Sequence, residues 1–278
     1  MTTSRTTSPG VSIRTDPARA RRVIEESRRE FDSRYRDLKL TPVVALLCAY
    51  EEEDNIGSVL AAVPDQACGL AVTTLVIVDG GSDRTADIAK DSGAITFVSV
   101  ENLGHGYAQR VGYALSIEFG AQYVVTIDAD GQNDPCYLPA LLALMAEPGV
   151  GLAAGQRIKH AHSHAKRIGS RFANRLRAWL LHDNTRDTAC GLKAFRRDVF
   201  LRLPYFDTMH RFLPALVQRE GLTVRHLDVV DRDRQHGRSK YGVIDRAVVG
   251  FFDLIGVSWL IKRGKRMPQA KEVFSNSD

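Results

Sequence analysis

Cysteine is scarce in this 278-residue chain, and its four positions, Cys48, Cys68, Cys136 and Cys190, never form a CxxC pair. That spacing argues against a disulfide framework or a zinc site and favours a reducing compartment. Two nucleotide-binding fingerprints are also missing. The turn after the first predicted strand has no glycine, so it lacks a GxGxxG pyrophosphate turn, and no GxxxxGK[ST] occurs. A dinucleotide dehydrogenase and a P-loop enzyme are both disfavoured. Long apolar runs are lacking as well. The longest, Ala247 to Ile261, has 15 residues and is broken by Asp253, too short to cross a bilayer. The first 40 residues are polar and hold no apolar run of secretory type. The expectation is a cytoplasmic protein without its own membrane anchor, peripheral at most to the inner face of a membrane.

What remains is an ordinary globular composition. A hydrophobic content of 44% with 26% charged residues excludes disordered, collagen-like and polytopic membrane classes. Residues 1–40 read as a Ser/Thr-rich tail followed by a highly charged surface helix over 17–39. From Thr41 onward, short Val/Ile/Ala runs alternate with stretches of helical period. Strands are expected at Pro42–Cys48, Thr73–Val78, Ala94–Val100, Tyr123–Ile127 and Val150–Ala154. Helices are expected between them, over Asn55–Val63, Asp83–Asp91, Gly106–Phe119 and Tyr137–Met145. Strands apolar throughout, alternating with helices, predict an α/β fold: an open, mostly parallel, doubly wound sheet covered on both faces. The predicted organisation is a catalytic domain over 41–242 and an amphipathic helix with a basic tail over 243–278.

In such folds ligands bind at the carboxyl ends of the strands, and here those ends are acidic. The first strand runs into Ala49-Tyr50-Glu51-Glu52, the second into Asp79-Gly80-Gly81-Ser82-Asp83, and the fourth into Asp128-Ala129-Asp130-Gly131-Gln132. Period-two alternation sends Asp128 and Asp130 the same way. With the Gln132 amide oxygen they form a hard-oxygen set suited to Mg²⁺ or Mn²⁺ bridging a diphosphate; a simple strand-terminating turn is the alternative. Asp79 is placed to accept from a ribose or base, Tyr50 to stack on a base, and Ser82 or Asp83 to cap the next helix.

The segments CAYEEEDNI, VIVDGGSDRTADIA, ENLGHGYAQRVGYAL and TIDADGQNDP, in this order and spacing, resemble glycosyltransferase family 2 with its GT-A fold. DTACGLKAFRRDV, HRFLPALVQREGL and RQHGRSKYG extend the resemblance to the dolichol-phosphate mannosyltransferase branch, which loads sugars onto polyprenyl phosphates. The resemblance spans about residues 41–242. It implies a nucleotide-diphosphate sugar donor (GDP-mannose or a UDP-hexose), a polyprenyl phosphate acceptor and inversion at the anomeric carbon. It implies donor contacts at Ala49, Tyr50, Glu52, Asp79 and Ala129, and a metal held by Asp128, Asp130 and Gln132. Arg157, Arg167 and Ser170 match positions facing the diphosphate and the acceptor phosphate, and Arg234 and Lys240 a loop that closes over the donor. Three residues depart from the family pattern: Gly80 stands for an aspartate, His105 for a lysine and Glu51 for an asparagine.

Charge is distributed unevenly. Between Arg157 and Arg197 lie eleven Lys and Arg residues against two acids, Asp183 and Asp187, although the whole chain carries only +5. No nucleic-acid motif accompanies this charge, so donor and acceptor phosphates are the expected anions and nucleic acid is not a partner. His160, His162 and His164 alternate in a stretch read as a solvated loop rather than a metal site. Lys262, Arg263, Lys265 and Arg266 follow the apolar run and suit an anionic membrane surface. The competing reading packs Phe251, Leu254 and Trp259 onto the domain. A soluble hydroxyl acceptor is the alternative to the lipid and would need a base, for which Asp187 is the candidate. A sugar-nucleotide sensor without turnover is a third reading, motivated by Gly80.

Overall fold

Strand β1 (Val43–Ala49) is apolar at every position because both of its faces and both of its edges are covered. It pairs in parallel with β3 (Leu70–Val78) on one side and β5 (Tyr123–Asp128) on the other. The computed structural model describes residues 39–158, 177–206, 208–232 and 243–263, with single positions between 18 and 33. β4 (Ile95–Val98) extends the sheet beyond β3, and the two-residue β2 (Gln66–Ala67) turns back antiparallel on β3. Beyond β5 the order continues β7 (Lys193–Arg196), β6 (Val150–Ile158), β8 (Thr223–Val230). β7 runs antiparallel to both neighbours. It is a reversed strand inside an otherwise mostly parallel sheet.

All five predicted strands are present, and the open, mostly parallel architecture is the one expected. Alternation sorts their side chains into two cores. Val44, Leu46, Leu75, Ile77 and Val124 face one layer; Val43, Ala45, Leu47, Val76 and Val125 face the other. The helix His105–Glu118 covers the first face, burying Tyr107, Ala108, Val111 and Leu115. Ile56–Ala61 and Leu138–Leu144 pack into the second. Strand ends are brought level by register: Ala49 pairs with Val78, Cys48 with Asp128, and Arg157 with Val229. Because β7 is reversed, the loop entering it also lies at this edge. Loops from distant parts of the chain therefore meet there.

The helix Val243–Lys262 divides the residues named in its competing readings. Leu254 and Val257 are buried against the first core. Phe251, Phe252, Ile255 and Trp259 are more than half exposed. Thr208 Oγ1 donates to Asp253, and Arg219 Nε donates to the Leu260 carbonyl at 3.1 Å, fixing which face turns inward. Arg263 lies over the Trp259 ring at 5.3 Å. Among the described residues no helix is long and apolar enough to cross a membrane. The described positions between 18 and 33 are helical and exposed, with Arg28 paired to Glu118 at 2.5 Å.

Candidate active site

The loops after β1 and β3 are stitched together. Glu52 N–H donates to Thr85 Oγ1 at 2.8 Å, Glu53 N–H to Asp83 Oδ2 at 3.1 Å, and Arg84 N–H to Glu53 Oε2 at 3.0 Å. Asp83 also accepts from the Thr85 amide at 3.1 Å and its hydroxyl at 2.8 Å, so it anchors the start of the helix Thr85–Asp91. Glu52 Oε2 accepts from Asn55 Nδ2 at 2.7 Å. Tyr50 is half-buried beside this pair of loops, while Ala49 and Ala129 are buried backbone-lining positions.

Asp79 is only 3% exposed. Its two oxygens accept the amides of Leu103 at 3.0 Å and Gly104 at 2.7 Å, clamping the segment that opens the helix His105–Glu118. The same segment explains Gly80. With φ at +73°, a Cβ at this position would lie 2.7 Å from Asn102 N and 2.9 Å from the Glu101 carbonyl carbon. The aspartate common at this position in the resembled family has no room here, because the backbone of 101–102 fills its place.

Asp128 ends β5 and points toward Gly191, in the loop that enters β7. A Cβ on Gly191 would lie 2.2 Å from Asp128 Cγ, so this glycine makes the space in which the carboxylate sits. Thr126 Oγ1 donates to the Gly191 carbonyl at 2.6 Å and ties the two segments together. Asp130 Oδ1 accepts the Gln132 amide at 3.1 Å. The Gln132 carbonyl in turn accepts the Arg232 amide at 2.9 Å, joining the loops after β5 and β8. Among the described residues no three His, Cys, Asp or Glu gather into a metal cage. Two carboxylates and an amide oxygen still fit a hard cation of the Mg²⁺ type, which is held by one or two carboxylates with substrate phosphates completing its shell.

Arg157 stands at the end of β6. Its Nε meets Asp187 Oδ2 at 2.6 Å and its Nη2 meets Oδ1 at 3.1 Å, while Nη1 lies 3.6 Å from Asp231. Burial alone would push the Asp187 carboxyl up. The hydrogen bonds and charge of Arg157, with the Ala189 amide at 3.1 Å, override it and hold the group below the usual carboxylate range. Asp231 behaves oppositely: burial, with Asp130 and Asp187 adding, raises it against the pull of Arg157. Buried Lys193 donates to the Cys190 carbonyl, and its ammonium is drawn down by burial, opposed by Cys190, Asp128 and Asp187. Burial pushes the Cys190 thiol up to about 11, so it stays protonated near neutral pH.

The approach to Asp187 is built on a buried ion pair. Arg177 Nη1 donates to Asp183 at 2.5 Å, and Asp183 is fully buried. Thr185 donates its amide to Asp183 at 3.1 Å and shares a hydrogen bond with His226 at 3.1 Å. Arg186 pairs with Asp228 and donates to Gln156 at 2.6 Å. These contacts fasten the loop that delivers Asp187 onto the ends of β6 and β8.

Ala49, Tyr50, Glu52, Asp79, Asp128, Ala129, Asp130, Gln132, Arg157 and Asp187 all belong to this one edge. Arg167, Ser170, Arg234, Lys240 and the histidines at 160, 162 and 164 lie outside the described residues. Sequence reasoning missed Asp231 and Gly191. Asp231 follows an edge strand of irregular burial, in which Val224 and Val229 are buried on opposite faces of the sheet, so no period-two pattern marked it in the sequence. Gly191 sits inside the quoted DTACGLK segment, where a glycine beside a buried strand marks a close approach.

Comparison with known proteins identifies the family. The family described as Glycosyl transferase family 2 matches residues 45–203. The dolichyl-phosphate hexose transferase of Haloferax volcanii is 34% identical over 197 residues, covering 69% of this chain and 83% of that protein. The undecaprenyl-phosphate 4-deoxy-4-formamido-L-arabinose transferase of Edwardsiella ictaluri is 25% identical over 221 residues, covering 77% of this chain. The chain spans 66% of the length of that relative. Glucosyl-3-phosphoglycerate synthase from Mycobacterium tuberculosis, solved with Mn²⁺, UDP and glucosyl-3-phosphoglycerate, superposes with a TM-score of 0.61 at 19% identity, covering 87% of this chain and 85% of that one. That likeness speaks for the fold. With the family match covering more than half of the sequence, the chain belongs to glycosyl transferase family 2 and has the GT-A fold.

Proposed function

We propose that this chain is a metal-dependent, inverting transferase that moves a hexose from a nucleotide-diphosphate sugar to a polyprenyl phosphate. The observation that carries the reading is that Asp130, after β5, and the Arg157 guanidinium, at the end of β6, lie at one sheet edge, where both act on Asp231. Acids that hold a cation and an arginine that holds phosphate are the two parts phosphate-linked transfer requires. The polyprenyl-phosphate transferases among its relatives support the acceptor class. Asp128, Asp130 and Gln132 would hold Mg²⁺ or Mn²⁺, and the cation would act as a Lewis acid on the departing diphosphate.

In the reaction an acceptor phosphate oxygen forms the new bond to the anomeric carbon. The bond from that carbon to the diphosphate oxygen breaks, and its electron pair leaves with the nucleoside diphosphate. A phosphate is already anionic near neutral pH, so no side chain has to remove a proton. Asp187, saturated by Arg157, is poorly suited to do so. Arg157, with Arg234 and Lys240 of the later loop, would meet the phosphoryl charge and exclude water. Tyr50 and Glu52 would take base and ribose, lined by Ala49 and Ala129, and Asp79 would fix the wall beside them. Arg167 and Ser170 would face the acceptor phosphate.

The exposed face of Val243–Lys262 fits the lipid acceptor. Burying Phe251, Phe252, Ile255 and Trp259 contributes roughly 1–2 kcal/mol each, and exposed Lys262 and Arg263 add about 1 kcal/mol apiece at an anionic surface. The test of function is a panel of GDP- and UDP-sugars with undecaprenyl phosphate and Mg²⁺ or Mn²⁺, read as lipid-linked product. Lipid-linked sugar from at least one donor is expected. Transfer confined to soluble hydroxyl compounds would contradict the reading. Flotation with phosphatidylglycerol vesicles tests the helix face: Phe252→Ser with Trp259→Ser is expected to abolish binding.

A further inference from the structure

Arg157 meets its two carboxylates in unlike ways. Toward Asp187 it presents Nε at 2.6 Å and Nη2 at 3.1 Å, a bidentate pair that fixes the guanidinium plane. Asp187 is held in turn by the Ala189 amide at 3.1 Å and the Arg157 amide at 3.4 Å, and its side chain is 12% exposed. Four donors engage that carboxylate. Toward Asp231, Arg157 presents Nη1 alone at 3.6 Å, beyond hydrogen-bond length. The Asp231 side chain is 23% exposed, and its other contact, from Asn133 Nδ2, is long at 3.4 Å. Asp130 and Asp187 both act on Asp231 as like charges.

One carboxylate is thus built in, and the other is loosely placed against the corner of the guanidinium that the first leaves open. We propose that Asp187 is the permanent mount of Arg157 and Asp231 its exchangeable counter-ion, which gives up the Nη1 corner to a phosphoryl oxygen of a bound substrate. The proposal rests on the phosphate-transfer reading above and deepens it. Replacing a carboxylate oxygen by a phosphoryl oxygen on the same N–H keeps the arginine paired before and after binding, so a half-buried cation is never left bare. The bidentate mount keeps the guanidinium from following Asp231 when it gives way. Asp187 is on this account a positioning residue, because a carboxylate engaged by four donors offers no lone pair to an acceptor proton. Asp231 sets an opposing term: in the empty site it competes with phosphate for Arg157.

The phosphoryl oxygen has two possible sources, the donor diphosphate and the acceptor monophosphate, and calorimetry separates them. The Mn²⁺-loaded protein is titrated with pyrophosphate, UDP and GDP in one arm and with a short-chain prenyl phosphate in the other. Asp231→Asn is expected to tighten whichever phosphate uses the corner by about threefold to tenfold, and Asp187→Asn to weaken it by at least about tenfold. Asp187→Glu is expected to recover part of the loss. A response in the first arm assigns the corner to the donor, and a response confined to the second assigns it to the acceptor.

Unchanged affinity in Asp231→Asn overturns the exchange. So does a loss as deep as that of Asp130→Asn, which would make Asp231 a cation ligand, and so does a wild type that binds none of these phosphates. Asp187→Asn that keeps phosphate affinity but loses turnover and the acid limb of the pH profile would overturn the mount and restore a base. Should Asp187→Asn fail to fold, as read by urea unfolding, the near-isosteric Asp231→Asn decides alone. The expected binding pattern without sugar transfer to any polyprenyl phosphate would leave the exchange standing and refute the functional reading.

Discussion

Adding one methyl group at Gly191 is expected to disable the site by displacing the Asp128 carboxylate. The new Cβ would fall 2.2 Å from Asp128 Cγ and 2.2–2.3 Å from its two oxygens. Carbon contacts settle near about 3.5 Å, so the carboxylate or the loop has to shift by roughly 1.3 Å. Overpacking of that size costs about 1–3 kcal/mol of stability, and a misplacement of about 1 Å in a reacting constellation costs on the order of a hundredfold in rate. The assay pairs sugar transfer with urea unfolding for Gly191→Ala, Asp128→Ala and the double variant. Removing the carboxylate removes the obstacle. The double variant should therefore regain most of the stability lost by Gly191→Ala while staying inactive. Gly191→Ala with transfer within about threefold of the wild type would refute the reasoning, and so would a double variant whose stability losses simply add.

Three further expectations follow from the same geometry. Gly80→Asp, although it restores the residue usual in the resembled family, should destabilise by about 2 kcal/mol or more, since its Cβ meets backbone and its φ is positive; the urea midpoint measures this. Arg177→Ala should cost about 3–5 kcal/mol, because it strands the buried Asp183 carboxylate, and Arg177→Met with Asp183→Leu should lose less. The His226 imidazole is lowered chiefly by burial, against the opposing charge of Asp183. Its folded value lies below the unfolded one, so its contribution to stability is complete above about pH 6.5 and declines as pH falls toward the folded value. His226→Gln should flatten that part of the urea-midpoint profile between pH 7.5 and 5.5.

Strands β1, β3, β4, β5 and β6 were legible because they read as short, largely apolar runs. β7 and β8 were not. β7 is four residues long and begins with a buried lysine, Lys193, whose charge disguises a core strand. β8 lies at the sheet edge and carries exposed Arg225 and Asp228. The acids after β1, β3 and β5 announced the site because strand ends of a parallel sheet gather by topology. Sequence spacing does not say which charges neutralise one another. Arg157 looked like a free phosphate ligand and Asp187 like a free base, yet they are thirty residues apart and hydrogen-bonded to each other. Gly80 looked like a lost contact; its reason lies in the backbone of 101–102, some twenty residues away. Of the residues that the packing reading of the helix at 243–262 placed on the domain, Leu254 is buried while Phe251 and Trp259 are exposed, a split that the apolar run does not show.

The most direct test of the central claim compares two acceptors that differ by a single group, undecaprenyl phosphate and undecaprenol, with the same donor, cation and enzyme. An anionic acceptor oxygen that needs no base predicts glycosyl transfer to the phosphate and none to the alcohol. Equal transfer to the alcohol, abolished by Asp187→Asn, would contradict it.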